Sequence, residues 1–173
     1  CVKPVVGVFG AGFLQLQDDL SYFEHFQNPW LCNTQQFIDA YASHPVQDYL
    51  VMPFLSGLEC SVDIACSRGV VIKQVTRIKH DVYQQFLLNG PCHDIATQLV
   101  ALFHCDGMIN IQFKQDAHGK WYILEINQRP AGGFAYTQHT GINLVSALLC
   151  EKLNIESTAS TVLKNDVWIR PVT

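Results

Sequence analysis

The sequence predicts an α+β fold. Short strands and helices follow one another irregularly, and several neighbouring strands are separated by tight turns, which favours antiparallel hairpins over a doubly wound parallel sheet. Hydrophobic residues make up 49% of the chain and charged residues 15%, enough for a core and unlike a disordered chain. A length of 173 residues fits one domain or two small lobes.

In the N-terminal third, the sequence predicts small elements separated by turns. A strand over residues 1–6 is followed by a glycine-rich loop over 7–12. Asp18 or Asp19 is expected to cap a helix that ends near residues 28–29. Two further elements are predicted before residue 55, a helix over 34–42 and a strand over 49–54.

In the rest of the chain, the sequence predicts two hairpins and two longer helices. Residues 59–66 and 70–76 form the first hairpin, and the polar stretch 77–90 is expected to be a loop. Beyond residue 153 the pattern predicts no element. The remaining elements are a helix beginning near Pro91, strands over 108–115 and 120–126, and a helix over 143–153.

Composition excludes several classes of protein. The net charge is −4 without a basic stripe, so we expect no nucleic-acid partner. Seven cysteines, an odd number without C-x-x-C spacing, indicate reduced thiols and a cytoplasmic protein rather than disulfides or a zinc site. No apolar run is long enough to cross a bilayer, so we expect no membrane partner.

The start of the chain is unusual, because Cys1 to Val6 resembles the inside of a strand and no initiating Met precedes it. We therefore expect a preceding N-terminal domain of the same protein. Composition predicts no oligomeric state.

The second predicted hairpin places polar side chains opposite one another. With residues 117–120 as its loop, Asp116 pairs with Trp121. Side chains alternate faces along a strand, and continuing this register places Gln112 opposite Glu125. The predicted pair combines a carboxylate with an amide.

The same register places Asn110 opposite Asn127, so one strand face carries one carboxylate and three amides. Magnesium takes hard oxygen ligands and needs only a few from protein. These residues therefore form a candidate magnesium site. The alternative is a half-exposed hairpin whose polar face contacts water.

The stretch Asn110-x-Gln112-Phe113, followed by residues 124–130, resembles the metal-binding signature of ATP-grasp enzymes, closest to the carbamoyl-phosphate synthase-like branch. The resemblance implies ATP and Mg²⁺, or Mn²⁺ in its place. It implies that Gln112 and Glu125 bind one ion, and Glu125 and Asn127 a second. Gln128 stands where the family usually has Pro.

The resemblance also implies catalytic residues. Arg129 would stabilise the transferring phosphoryl group or the acyl phosphate, and Asn110 belongs to the same catalytic signature. Residues 129–133 contain two glycines whose exposed amides suit an anion pocket, with a tight turn as the alternative.

Nucleotide contacts are implied near the start of the chain. Lys3 resembles the strand lysine that reaches the nucleotide. Gly7, Gly10 and Gly12 resemble the loop that closes over the phosphates, since glycine lets backbone N–H groups approach anionic oxygens. A glycine-rich hairpin without a ligand is the alternative.

Residues 51–59 resemble the hinge strand that carries adenine. Glu59 matches the carboxylate that holds the ribose hydroxyls, with a strand-edge charge as the alternative, and Asp63 is expected to be structural or solvent-facing. Arg77 and Lys79 are expected to bind phosphate or a substrate carboxylate, or to lie in a solvated loop. The implied adenine contacts are Val51, Met52, Pro53 and Phe54.

The resemblance implies two α+β lobes with nucleotide bound between them: residues 1–50 in the smaller lobe and 51–173 in the C-terminal lobe. It implies an ATP-dependent carboxylate–amine ligase that forms an acyl phosphate and releases ADP and phosphate. Its other substrates are a small-molecule carboxylate and an amine. A nucleotide-binding module without turnover and a purely structural domain are the alternatives.

Overall fold

The computed structural model describes residues 1–7, 10–156 and 162–170. The chain forms two units, Cys1–Phe54 and Leu55–Thr173. The division into lobes at residue 50, with the roles that the resemblance implies, stays a prediction.

The first unit contains two small sheets and two helices. One sheet is antiparallel and the other parallel, and each has two strands. The antiparallel sheet pairs β1 (Val2–Pro4) with β4 (Tyr49–Val51), and the parallel sheet pairs β2 (Gln15–Gln17) with β3 (Leu31–Asn33). The helices are α1 (Tyr22–Gln27) and α2 (Thr34–Ser43).

The cap of α1 differs from the prediction. Ser21, rather than Asp18 or Asp19, is the N-cap residue. Its side chain accepts a hydrogen bond from the Glu24 backbone, and the Glu24 carboxylate accepts one of 2.8 Å from the Ser21 backbone. This capping box satisfies two N–H groups at once, which a lone aspartate does not.

The second unit is built on one six-stranded sheet in which every neighbouring pair is antiparallel. Its strands are β5 (Glu59–Ser67), β6 (Val70–His80), β7 (Tyr83–Leu87), β8 (Gly107–Gln115), β9 (Trp121–Asn127) and β10 (Val167–Ile169), in the spatial order β10-β7-β6-β5-β8-β9.

Three helical segments accompany this sheet. The predicted helices are α3 (His93–Leu102) and α4 (Leu144–Leu153), and a 3-10 helix over Phe134–Thr140 was not predicted. None of the helices within the described ranges is long and apolar enough to cross a membrane.

The predicted loop over residues 77–90 is wrong. β6 continues to His80, and after a short turn β7 runs back beside it. Thr76 and Ile78 are buried on one face of β6, while Arg77 and Lys79 lie on the other. This is the alternation of a strand, which the polar composition obscured.

A cluster of buried apolar residues lies on one face of the sheet, which we call the apolar face. Val62 and Ile64 of β5 are fully buried there beside Ile111 of β8. Val100 of α3 belongs to the same cluster, so α3 covers this face. Because successive strand side chains alternate, the neighbouring residues of β5 point to the opposite face.

The hairpin of β8 and β9 contains a register shift. The prediction that Asp116 pairs with Trp121 is wrong, because Trp121 pairs with Gln115. Farther along, the register shifts by one residue at Leu124, and Gln112 pairs with Glu125 as predicted. This β-bulge re-aims the strand between its turn and the polar pairs.

Candidate active site

The face opposite α3, here called the polar face, carries Glu59, Ser61 and Asp63 of β5 and the residues paired with them. One row across the sheet consists of Arg77, Ser61, Gln112 and Glu125. The next row consists of Asp63, Asn110 and Asn127. Strand pairing therefore brings together polar residues that are far apart in sequence.

The predicted metal ligands lie side by side on the polar face. Gln112 is paired directly with Glu125 across β8 and β9, and Asn127 follows on the same face of β9. Asn127 donates a hydrogen bond of 2.9 Å from Nδ2 to Oε1 of Glu125. All three side chains are half-buried, as suits residues that contact a ligand.

A buried hydrogen-bond network lies beside these residues. Arg77 donates from Nε to Oδ2 of Asp63 at 3.3 Å, and Asn110 donates from Nδ2 to Oδ1 of Asp63 at 2.9 Å. Gln112 in turn donates from Nε2 to Oδ1 of Asn110 at 3.3 Å. Asp63 and Asn110 are fully buried, and Arg77 is 3% exposed.

The solvent-facing alternatives for Asp63 and Arg77 are wrong, since both lie inside the unit. Burial raises the pKa of the Asp63 carboxyl, whereas the Arg77 guanidinium and the hydrogen bond from Asn110 act in the opposite direction. The ionised form of Asp63 therefore depends on these two neighbours.

Glu59 stands between two lysines at the start of β5. Its Oε1 accepts a hydrogen bond from Nζ of Lys79, and its Oε2 lies 4.0 Å from Nζ of Lys114. Both lysines are paired with Glu59 across the sheet. The predicted ribose contact of Glu59 stays a prediction.

Arg129 lies two residues beyond the end of β9 and is exposed. Its Nη1 donates a hydrogen bond of 3.1 Å to the carbonyl oxygen of Pro130. Farther along this loop, a Cβ added at Gly133 would lie 2.8 Å from both Nη1 of Arg77 and Oε1 of Gln84. The loop backbone thus passes so close to Arg77 that a larger residue at position 133 would require the Arg77 and Gln84 side chains to move.

The residues predicted to bind nucleotide divide between the units. Lys3 lies in β1, and Gly10 and Gly12 have φ angles of 71° and 77°, which favour glycine. Val51 ends β4, and Met52 to Phe54 follow it. Glu59 and the predicted metal ligands belong to the second unit.

The ligand set of the candidate site has a defined chemistry. In the described ranges, no three His, Cys, Asp or Glu side chains form a metal-binding cluster. Gln112, Glu125 and Asn127 offer one carboxylate and two amides, all oxygen donors. Hard oxygen ligands suit Mg²⁺, which completes its shell with phosphate and water.

A cavity of about 870 Å³ lies elsewhere, beside α4 and the turn between β5 and β6. Its lining includes Arg68, Lys73 and Glu151, and it contains none of the predicted site residues that the structure describes. The candidate site is therefore a sheet surface of the second unit and not this cavity.

Residues 45–173 match the model of a family described as an ATP-grasp in the biosynthetic pathway with Ter operon. The chain belongs to this ATP-grasp family. The predicted ATP-grasp membership and α+β fold are therefore confirmed, while the carbamoyl-phosphate synthase-like branch stays a prediction. No curated protein matches the chain.

Solved ATP-grasp structures share the fold at low sequence identity. N5-carboxyaminoimidazole synthetase from Staphylococcus aureus, solved with ADP, is 12% identical with a TM-score of 0.56, over 76% of this chain and 39% of that chain. N5-carboxyaminoimidazole ribonucleotide synthetase from Thermotoga maritima is 16% identical with a TM-score of 0.54, over 76% and 37%.

A third structure contains magnesium. The biotin carboxylase domain of 2-oxoglutarate carboxylase from Hydrogenobacter thermophilus, solved with MgADP, ADP and bicarbonate, is 15% identical with a TM-score of 0.51. The match covers 78% of this chain and 33% of that chain. The ATP-grasp chain described here thus spans about 33–39% of the length of these three proteins.

Sequence reasoning missed the network of Asp63 and Arg77. The signal was present, because Glu59, Ser61 and Asp63 alternate with buried apolar residues in β5. Only the pairing of β5 with β6 and β8, however, shows which residues face Asp63.

Proposed function

We propose that this ATP-grasp chain carries the nucleotide and metal site of a Mg²⁺- and ATP-dependent carboxylate–amine ligase. The observation that carries the proposal is the pairing of Gln112 with Glu125, with Asn127 beside them on the polar face. Membership of the ATP-grasp family supports it. The substrates would be a small-molecule carboxylate and an amine, and the protein would be cytoplasmic.

The oxygen donors of the site fit magnesium. Gln112 and Glu125 would hold one ion, and Glu125 and Asn127 a second, with Mn²⁺ able to replace Mg²⁺. The bound ions would offset negative charge on the ATP phosphates. Glu125 supplies the only carboxylate of this set, so binding depends most strongly on that residue.

The proposed nucleotide contacts involve three sets of residues. Lys3, together with Gly7, Gly10 and Gly12, would contact the phosphates, and Val51, Met52, Pro53 and Phe54 would contact the adenine. Glu59 would accept hydrogen bonds from the ribose hydroxyls. Its two lysine neighbours support this role, because they hold the carboxylate in place at the start of β5.

The proposed reaction has two steps. The substrate carboxylate attacks the γ-phosphate of ATP, giving an acyl phosphate and ADP, and the amine then displaces phosphate. The protein mainly positions the reactants and stabilises charge, as in other phosphoryl transfers. Arg129 would act on the transferring group. Asn110 is fully buried and accepts a hydrogen bond from Gln112, so it would support the site through Gln112.

Two relatives support small-molecule substrates. One solved N5-carboxyaminoimidazole synthase contains 5-aminoimidazole ribonucleotide with ADP, and one biotin carboxylase domain contains bicarbonate. These compounds are ligands of those proteins. For the present chain they indicate the size and charge of candidate substrates to be screened.

Thermal unfolding with ATP and Mg²⁺ tests the proposal. At about 100 times the Kd, binding should raise the free energy of unfolding by about 2.7 kcal/mol. Glu125→Ala should lose most of this stabilisation, whereas Glu151→Ala, an exposed glutamate of α4, should keep it. Equal stabilisation of the wild type and Glu125→Ala contradicts the assigned metal site.

Release of ADP separates a ligase from a nucleotide-binding module. A screen of acids and amines with MgATP should identify a pair that requires both substrates for ADP release. Nucleotide binding without ADP release, for every pair in a broad screen, would favour a binding module.

A further inference from the structure

The polar groups beside the predicted metal ligands form one continuous chain of hydrogen bonds. It begins at Arg77, passes through the carboxylate of Asp63 and the amide of Asn110, and ends at the amide of Gln112, with donor–acceptor distances of 2.9 to 3.3 Å. It joins three strands, β6, β5 and β8. This network of hydrogen bonds thus runs from the buried ion pair of Arg77 and Asp63 to a predicted metal ligand, Gln112.

The direction of each hydrogen bond follows from chemistry. An ionised carboxylate can only accept, so Asp63 requires Asn110 to turn its NH₂ group toward it. The oxygen of Asn110 is then presented to Gln112, which must donate its own NH₂ group. The Oε1 atom of Gln112 therefore takes no part in the network.

The other predicted amide ligand is oriented in the same way. Asn127 donates its NH₂ group to the carboxylate of Glu125, which leaves Oδ1 of Asn127 outside that hydrogen bond. For both amides, an acceptor on the protein engages the nitrogen. Only the oxygen of an amide can bind a cation, so this orientation matters at a magnesium site.

We propose that Asp63 is a positioning residue which, held by Arg77 and acting through Asn110, fixes the Gln112 amide so that its oxygen is presented to the divalent cation. This inference rests on the proposed metal site. It gives Asn110 a role that requires no contact with substrate. Residues that orient metal ligands commonly change metal affinity by roughly 10–100-fold when they are replaced.

Binding of a non-hydrolysable ATP analogue, measured by calorimetry with Mg²⁺ and with EDTA, tests the proposal. The dissociation constant in EDTA divided by that in Mg²⁺ measures the contribution of the metal. Asp63→Asn should lower this ratio by roughly 10–100-fold. Asn110→Ala should do the same while keeping the ion pair of Asp63 with Arg77, and it serves as the main variant if Asp63→Asn does not fold.

Gln112→Glu provides the matched control. A carboxylate presents oxygen whichever way it turns, so it does not need the network for orientation. In the Gln112→Glu background, Asn110→Ala should therefore change the metal contribution by less than about threefold, far below the roughly 10–100-fold expected with Gln112. A merely structural role would lower the metal contribution equally in both backgrounds, and that result overturns the proposal.

A second readout needs no metal. In ¹⁵N spectra of the free protein, the Gln112 side-chain NH₂ should exchange slowly with water, and Asn110→Ala should make it exchange fast. If Glu125→Ala removes the metal contribution but Asn110→Ala and Asp63→Asn leave it intact, the positioning role falls and the proposed function stands. If the wild type shows no metal contribution, the proposed function falls as well.

Discussion

Arg129 is the exposed cation nearest in sequence to the predicted metal ligands of β9. Its guanidinium makes a hydrogen bond to the Pro130 carbonyl and has further donors for a ligand. Two-pronged donation to a phosphoryl group depends on the planar guanidinium, which lysine lacks. We therefore expect Arg129 to act on the group being transferred.

Replacing Arg129 by Lys should separate turnover from binding. In the presence of both substrates, kcat should fall by roughly 100-fold, the scale of one lost transition-state donor. The KM for ATP should change by less than about threefold. Arg170→Lys, an exposed arginine beyond β10, is the control and should behave as wild type. A raised KM for ATP with kcat unchanged would show instead that Arg129 acts in ground-state binding.

The residues of the candidate site differ in how far sequence predicts them. Gln112, Glu125 and Asn127 are close in sequence and their pairing was predicted, but the structure reaches it through a different turn register and a β-bulge at Leu124. Asp63 and Arg77 belong to different strands, and their contact with Asn110 depends on long-range pairing. Local sequence patterns therefore could not predict that Asp63 and Arg77 are buried.

The β-bulge in β9 is the element that places the candidate site on the polar face. Before it, Ile123 is paired with Phe113, whose side chain is buried on the apolar face. After it, Glu125 is paired with Gln112 on the polar face. Leu124 is the extra residue that allows both pairings.

Two single-residue deletions test this account. Removing Leu124 should keep the pairing of Gln112 with Glu125, since only the unpaired residue is lost, and the Mg²⁺-dependent stabilisation by ATP should persist. Removing Ile126 should instead move Asn127 to the apolar face, because a one-residue slip changes the face of every later side chain. That variant should lose most of the stabilisation in thermal unfolding.

The deletions are matched, because each shortens β9 by one apolar residue. Comparable losses of metal-dependent stabilisation in both variants would show that strand length, and not the face occupied by Asn127, controls the site. Circular dichroism of the free variants checks that each keeps its sheet.

The elements beyond the motif show why local patterns fail in particular places. β6 was predicted to end at Thr76 because polar residues follow, yet Arg77 and Lys79 find partners across the sheet. β10 carries no recognisable signal, and it is held by pairing with β7 and by a hydrogen bond of 2.6 Å from Gln85 to Asp166. Both depend on partners distant in sequence.

At the scale of the molecule, the second unit has a core of its own. The buried cluster includes Val62, Ile111, Phe113 and Val100, and every member lies between residues 60 and 126. The whole six-stranded sheet also belongs to this unit. Because a domain folds around its own core, residues 55–173 should fold without the first unit.

The isolated segment of residues 55–173 should therefore unfold cooperatively, as followed by circular dichroism and calorimetry. Its response to nucleotide should differ from that of the whole chain, since Lys3, the glycine loop and Val51 to Phe54 are absent. At a MgATP concentration that stabilises the whole chain by about 2.7 kcal/mol, we expect less than about 1 kcal/mol for the segment.

Three outcomes distinguish the roles of the two units. A segment that does not fold contradicts the independence of the second unit. A segment stabilised by MgATP as strongly as the whole chain contradicts the nucleotide contacts proposed for the first unit. A small response that Glu125→Ala removes supports both assignments, because the metal ligands then contribute without the phosphate and adenine contacts. The rest of the stabilisation by MgATP should require the first unit. Lys3→Ala in the whole chain should therefore reproduce part of the stabilisation lost in the segment.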